Sequence, residues 1–192
     1  MIKIGITGGI GSGKSIVRRI FSHIGFPTYD ADQRAKSLMN CNTEIVGEIT
    51  SLFGYGAYQD GVYQREFVSK QVFSNPDLLL KLNQIVHPAV KLDFENWANN
   101  QKTEIVIKEA AIMSRQSGLD KIIWVSSPEE LRIKRILKRD THRGEEQIKK
   151  IIAQQKTENE FKEISDFEII NDEKILLIPQ VLKTISTLGI SI

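Results

Sequence analysis

Gly8-Gly9-Ile10-Gly11-Ser12-Gly13-Lys14-Ser15 constrains the fold more than any other stretch of this chain. It fits the pattern G-x-x-x-x-G-K-[ST], and it sits between the two elements that the pattern requires. Ile2-Lys3-Ile4-Gly5-Ile6 before it is strand-like and rich in β-branched residues. Ile16, Val17, Ile20 and Phe21 after it follow helical spacing. Glycines there let the backbone turn tightly and aim its N–H groups at an anion, and the following helix adds the positive end of its dipole. Gly9, Gly11, Ser12, Gly13 and Ile16 are therefore candidates for nucleotide contact. Lys14 is expected to lie at the surface of the loop and to reach β- and γ-phosphates. The Ser15 hydroxyl is expected to ligate Mg²⁺.

A chain of 192 residues, 41% of them hydrophobic, suits one α/β domain with room for an insertion. A net charge of +2 is too small for a nucleic-acid-binding surface. The single cysteine, Cys41, excludes an internal disulfide and a cysteine metal cluster. No apolar run approaches a membrane span, and the first strand and glycine-rich loop leave no room for a signal peptide. These features predict a cytoplasmic protein whose oligomeric state stays open.

Along the chain, Gly25 ends the first helix, and Phe26-Pro27-Thr28-Tyr29 reads as a second strand with Asp30 at its carboxyl end. Residues 32–53 read as helical with a break near Asn40-Cys41-Asn42. Gly54 to Gly61 carries turn chemistry. Residues 64–101 show no strand signal: Leu78, Leu79, Leu82, Ile85 and Val86 line one helix, Pro88 interrupts it, and Val90, Phe94 and Trp97 continue. The pattern predicts a helical, acceptor-holding insertion at about 60–101. Strands follow at 104–107, 121–125 and 167–170. Ser127-Pro128-Glu129-Glu130 predicts a capped helix to about Arg139, a polar stretch follows, and single helices are expected over 145–160 and 174–188. The sum is a doubly wound α/β fold of about five parallel strands, with a lid at about 138–150.

Asp30-Ala31-Asp32, at the end of the second strand, suggests metal organisation or proton abstraction from an acceptor hydroxyl; Asp30 equally suits a helix N-cap. The basic run Arg132, Lys134, Arg135 and Lys138 reads as a solvated helix face. Arg139 and Arg143 flank the polar stretch and suit phosphate binding from a lid. His23, His87 and His142 have no metal-ligand spacing.

Taken together these residues resemble the dephospho-CoA kinases. The glycine-rich loop, Asp30-Ala31-Asp32, Asp60-Gly61 with Arg65, Val72-Phe73-Ser74-Asn75, Leu82 to Pro88, Arg139-Asp140, Ala153-Gln154-Gln155 and Asp166 to Asn171 are similar to that family's motifs, in order, over nearly the whole chain. The resemblance implies transfer of the γ-phosphate of ATP to the ribose 3′-hydroxyl of dephospho-CoA. It implies Asp32 as the base with Lys14 and Arg139 catalytic beside it, Lys14 and Ser15 on the phosphates and Mg²⁺, Arg143 at the nucleotide, and Asp30, Lys36, Arg65, His87 and Glu109 at the substrate. Departures from the family are Ile16 for Thr, Lys36 for Arg, Glu109-Ala110-Ala111-Ile112-Met113 for Asp-x-Pro-Leu-Leu, and Ser114-Arg115-Gln116 with a one-residue insertion. The last two bear on the substrate pocket. A nucleoside or nucleoside-monophosphate kinase, or a nucleotide-binding regulator without catalysis, are the competing readings. A GTPase is disfavoured because no Asn/Thr-Lys-x-Asp motif occurs.

Overall fold

A computed structural model describes residues 1–189 of the chain, which form two compact units. One joins Met1–Tyr29 to the chain from Lys102 onward, and the other is Asp30–Gln101.

The first unit is built on a five-stranded sheet: β1 (Ile2–Thr7), β2 (Thr28–Asp30), β5 (Ile105–Glu109), β6 (Lys121–Ser126) and β7 (Phe167–Ile170), in the order β2-β5-β1-β6-β7. β1 runs parallel to both β5 and β6, and β6 parallel to β7. Central strands buried on both faces read as continuous apolar runs rather than as alternation, which is why Ile105–Ile107 and Ile122–Val125 are legible as strands. On one face Ile4, Ile6, Ile105, Ile107, Ile123, Val125 and Ile169 pack with Val17 and Phe21 of α1 (Lys14–Ile24) and Val181 and Ile185 of α9 (Leu177–Thr187). Each such fully enclosed side chain contributes about 1.5–3 kcal/mol by leaving water. On the other face Trp124 stacks on Phe161 of α8 (Glu158–Ile164), ring centroids 5.7 Å apart.

The segment between β5 and β6 has no helix. It is held instead by Arg115, whose guanidinium donates to both oxygens of Asp166 at 3.0 Å and to the Ser165 carbonyl. Asp166 also accepts from the Ile122 amide at 2.8 Å. Burial opposes ionisation of Asp166, but that amide and Arg115 outweigh it and hold the carboxyl below its ordinary value. Asp166 precedes β7, at the amino ends of the parallel strands. The departure at Arg115 therefore stitches the loop to the end of the sheet opposite the phosphate-binding loop.

Past β6 the chain corrects the sequence reading twice. Ser127 does not cap α6 (Glu129–Arg139); Pro128 occupies that position, and the Ser127 hydroxyl accepts from Arg135 at 3.0 Å. The single helix expected over 145–160 is two, α7 (Glu145–Ala153) and α8. Thr157 and Glu160 form a reciprocal capping box that restarts the chain as α8.

The second unit is mostly helical. Asp30 accepts from the Gln33 amide and caps α2 (Ala31–Cys41); Asn42 caps α3 (Thr43–Phe53). A hairpin of β3 (Tyr58–Gln59) and β4 (Val62–Tyr63) turns through Asp60 and Gly61, both at positive φ, as a two-residue Asp-Gly turn requires. The Tyr58 hydroxyl donates to the Met39 carbonyl at 2.7 Å, and burial, with Tyr63 beside it, pushes Tyr58 up to about 12. α4 (Arg65–Ser74) leads to α5 (Pro76–Asn99), capped by Asn75 and unbroken through Pro88. Proline inside a helix costs about 3 kcal/mol. Val86, Val90 and Phe94, all buried at helical spacing, hold the two halves in register around it. His87 is accordingly helical, against the bias of a residue preceding proline.

Candidate active site

The site of the first unit is built at the carboxyl end of β1, where β5 lies on one side and β6 on the other. In open α/β sheets this switch point is where ligands bind. Residues 8–13 join β1 to α1. Gly13 is the N-cap of α1 at φ 95°, a left-handed conformation, and no side chain caps the helix. Its first-turn amides and dipole are therefore presented to whatever occupies the loop.

Glycine is needed here for close approach as much as for turning. A Cβ on Gly8 would lie 2.5 Å from the Val125 carbonyl oxygen, and one on Gly11 2.7 Å from the Arg132 carbonyl oxygen, backbone atoms that cannot give way. Asn171 donates to the Ser12 carbonyl at 2.8 Å. Arg135 donates to the Gly11 carbonyl at 3.4 Å and to the Asn171 carbonyl at 3.2 Å. Arg132 donates to the Ile10 carbonyl at 2.9 Å, and Gln155 accepts from the Ile10 amide at 2.8 Å. Arg132 and Arg135 are thus loop clamps, not members of a solvated face. Their three-residue spacing on α6 is the signal that they share a side. Lys134 and Lys138 are exposed, as expected.

Lys14, expected at the surface, is half-buried. Its ammonium donates to the Gly8 and Gly9 carbonyls at 2.9 and 3.2 Å, so the lysine lies across the loop that it follows. The Ile16 side chain is exposed, while its amide donates to the Gly13 carbonyl. Ser15 is exposed and donates its hydroxyl proton to Glu109 Oε1 at 2.8 Å. Glu109, buried at the end of β5, accepts from Arg18 Nε on its other oxygen at 2.6 Å. Arg18 also donates to the Thr28 hydroxyl at 3.4 Å. Sequence reading missed Arg18; its place one helical turn after Ser15 is the signal that could have found it.

With its proton donated to Glu109, the Ser15 hydroxyl keeps its lone pairs for another partner. No group of three or more His, Cys, Asp or Glu among the described residues could hold a metal by itself. A hydroxyl with a carboxylate behind it suits Mg²⁺, which takes few protein ligands and fills its shell with water and phosphate oxygens.

Arg139 and Arg143 converge on Asp140. Arg139 donates to both carboxylate oxygens, at 2.7 and 3.0 Å, and Arg143 lies 3.2 Å away. The bidentate hydrogen bond from Arg139, followed by the charges of both arginines, holds the Asp140 carboxyl below its ordinary value. Asp32, Lys36, Arg65 and His87 belong to the second unit: Asp32 in the first turn of α2, Lys36 further along it, Arg65 opening α4 and His87 on α5. All four are exposed. Asp30 is occupied as the cap of α2.

Comparison with known proteins places this site in context. A family model described as dephospho-CoA kinase matches residues 2–176. A dephospho-CoA kinase from Porphyromonas gingivalis is 37% identical over 190 residues, covering 97% of this chain and 94% of the relative. Another, from Coxiella burnetii, is 31% identical over 180 residues, with 91% and 90% covered. A crystal structure from Thermus thermophilus matches with a TM-score of 0.87 at 26% identity, covering 99% of this chain and 98% of that one. The dephospho-CoA kinase from Campylobacter jejuni shares the fold, with a TM-score of 0.64 at 23% identity over 97% and 96% of the two chains.

Proposed function

The chain belongs to the dephospho-CoA kinase family, and from that premise we propose how its own residues move the γ-phosphate of ATP to the ribose 3′-hydroxyl of dephospho-CoA. The observation that carries the proposal is the uncapped start of α1 beside Lys14, Ser15 and Glu109. The triphosphate lies in the loop, at the amino-terminal end of α1 and its helix dipole. Lys14 exchanges its two carbonyl partners for β- and γ-phosphate oxygens. That exchange keeps the ammonium hydrogen-bonded throughout and adds a charge partner.

Ser15 would hold Mg²⁺, which would supply Lewis-acid neutralisation of developing charge. Glu109 fixes the Ser15 hydroxyl by accepting its proton, and Arg18 holds Glu109. This extends the sequence reading of Glu109, which put it on the substrate side. Replacing an outer partner of a metal ligand typically costs about 10–100-fold in affinity or activity. Glu109→Gln is expected to raise the Mg²⁺ concentration for half-maximal rate by about that factor at fixed ATP. An unchanged Mg²⁺ dependence would remove Glu109 from the metal's surroundings.

Asp32 orients and deprotonates the acceptor hydroxyl, with Lys36, Arg65 and His87 on the acceptor and the helical residues at about 60–101 holding it. Asp30 caps α2 and so aims Asp32. Arg139 and Arg143, on a lid at about 138–150, leave Asp140 for the phosphates as the lid closes, and Arg139 holds transition-state charge. Hydrogen exchange over residues 138–150 is expected to slow when a non-hydrolysable ATP analogue binds. Unchanged exchange, with binding measured independently, would rule out closure there. No described helix is long and apolar enough to cross a membrane, and the substrates are small soluble molecules, which supports a cytoplasmic location.

A further inference from the structure

The segment that carries Arg139 and Arg143 is attached to the phosphate-binding loop at both of its ends. Before it, Arg132 of α6 donates from Nε to the Ile10 carbonyl at 2.9 Å. After it, Gln155, two residues beyond α7, accepts from the Ile10 amide at 2.8 Å through Oε1. The two side chains also meet, Arg132 Nη2 donating to the same Gln155 oxygen at 3.2 Å. Both backbone polar groups of Ile10, which lie in its two flanking peptides, are thereby satisfied by side chains from opposite flanks of the lid. Both partners of the glutamine oxygen are donors, so this end of Gln155 must be the acceptor. The Arg132 guanidinium also fills the space over Gly9, and its burial lowers its pKa from the ordinary arginine value.

We propose that Gln155 is a positioning residue for ATP. It fixes the backbone of Ile10 by its amide, and through it the amides of Gly11, Ser12 and Gly13 that follow. Its link to Arg132, which holds the Ile10 carbonyl, ties that residue to the roots of the lid. Gln155 touches no phosphate; it acts through Ile10. The proposal rests on the reading that the triphosphate lies in this loop.

The chemistry separates two variants of similar size. Gln155→Glu keeps an acceptor oxygen for the Ile10 amide and gains an ion pair with Arg132. Gln155→Leu keeps the bulk and loses the acceptor, leaving the Ile10 amide and part of Arg132 unsatisfied. Loss of one such hydrogen bond corresponds to about 2- to 13-fold in an equilibrium. Exchange of the Ile10 amide, followed by NMR without nucleotide, should quicken by about that factor in Gln155→Leu and not in Gln155→Glu. The KM for ATP should rise in Gln155→Leu by a similar factor, with the KM for dephospho-CoA unmoved and Gln155→Glu close to the unmodified protein. If Gln155→Leu does not fold, Arg132→Met, which frees the Ile10 carbonyl, is expected to raise the KM for ATP in the same selective way. Unchanged Ile10 exchange in Gln155→Leu, an unchanged KM for ATP, or equal impairment by the two Gln155 substitutions would each overturn the proposal. Absence of ATP turnover in the unmodified protein would count against the kinase reading instead, and the exchange measurement would still decide whether the clasp exists.

Discussion

Asp32→Asn is expected to bind ATP and dephospho-CoA and to turn over about 10²–10⁴ times more slowly, the range for loss of a general base. A ribose hydroxyl is a poor nucleophile and must lose its proton as the new P–O bond forms. A carboxylate within hydrogen-bond reach accepts that proton; the amide keeps size and one acceptor oxygen but cannot. The transition state is loose, so the proton moves late and the base chiefly orients the hydroxyl. Asp32 lies exposed in the first turn of α2, so the substitution disturbs no core packing. Asp30→Asn is expected to cost less, because its structural work is to accept the Gln33 amide, which asparagine also does. Single-turnover rates with binding measured separately test the pair. A normal rate for Asp32→Asn with a dead Asp30→Asn would exchange the two roles.

Lys14→Ala is expected to reduce turnover by about 10²–10³, the effect of removing one preorganised contact to transition-state charge. The fold should survive. Lys14 is held only partly in the interior, and the carbonyls it meets belong to Gly8 and Gly9 of its own loop. Arg132, Arg135, Gln155 and Asn171 continue to hold that loop from outside. Circular dichroism unchanged with turnover lost is the predicted combination; near-normal turnover would remove the loop from the mechanism.

What the sequence made legible follows from how local each signal is. The glycine-rich loop, the apolar runs of β5 and β6 and the Asp60-Gly61 turn are dictated within a few residues, and each is where the sequence put it. Pro88 misleads because its local cost is real, while the packing of Val86, Val90 and Phe94 that outweighs it is tertiary. The break between α7 and α8 is available in Thr157-x-x-Glu160, a capping box that a continuous helical reading passes over. Ser127 looks like a cap by pattern, but Arg135 takes its hydroxyl from eight residues away. The clamps at Arg18, Arg132 and Arg135 share this difficulty. An arginine on a helix face is usually solvated, and only the folded chain reveals the carboxylate of Glu109 or the bare carbonyls of Ile10 and Gly11 opposite it.

The central claim is that ATP's γ-phosphate goes to dephospho-CoA on this protein. ADP release with ATP and Mg²⁺, followed in parallel with dephospho-CoA, with AMP and with no acceptor, tests it most directly. Release that depends on dephospho-CoA, with CoA formed in equal amount and near-background rates in the other two arms, is the predicted result. Release driven by AMP, or release equal in all three arms, would contradict it.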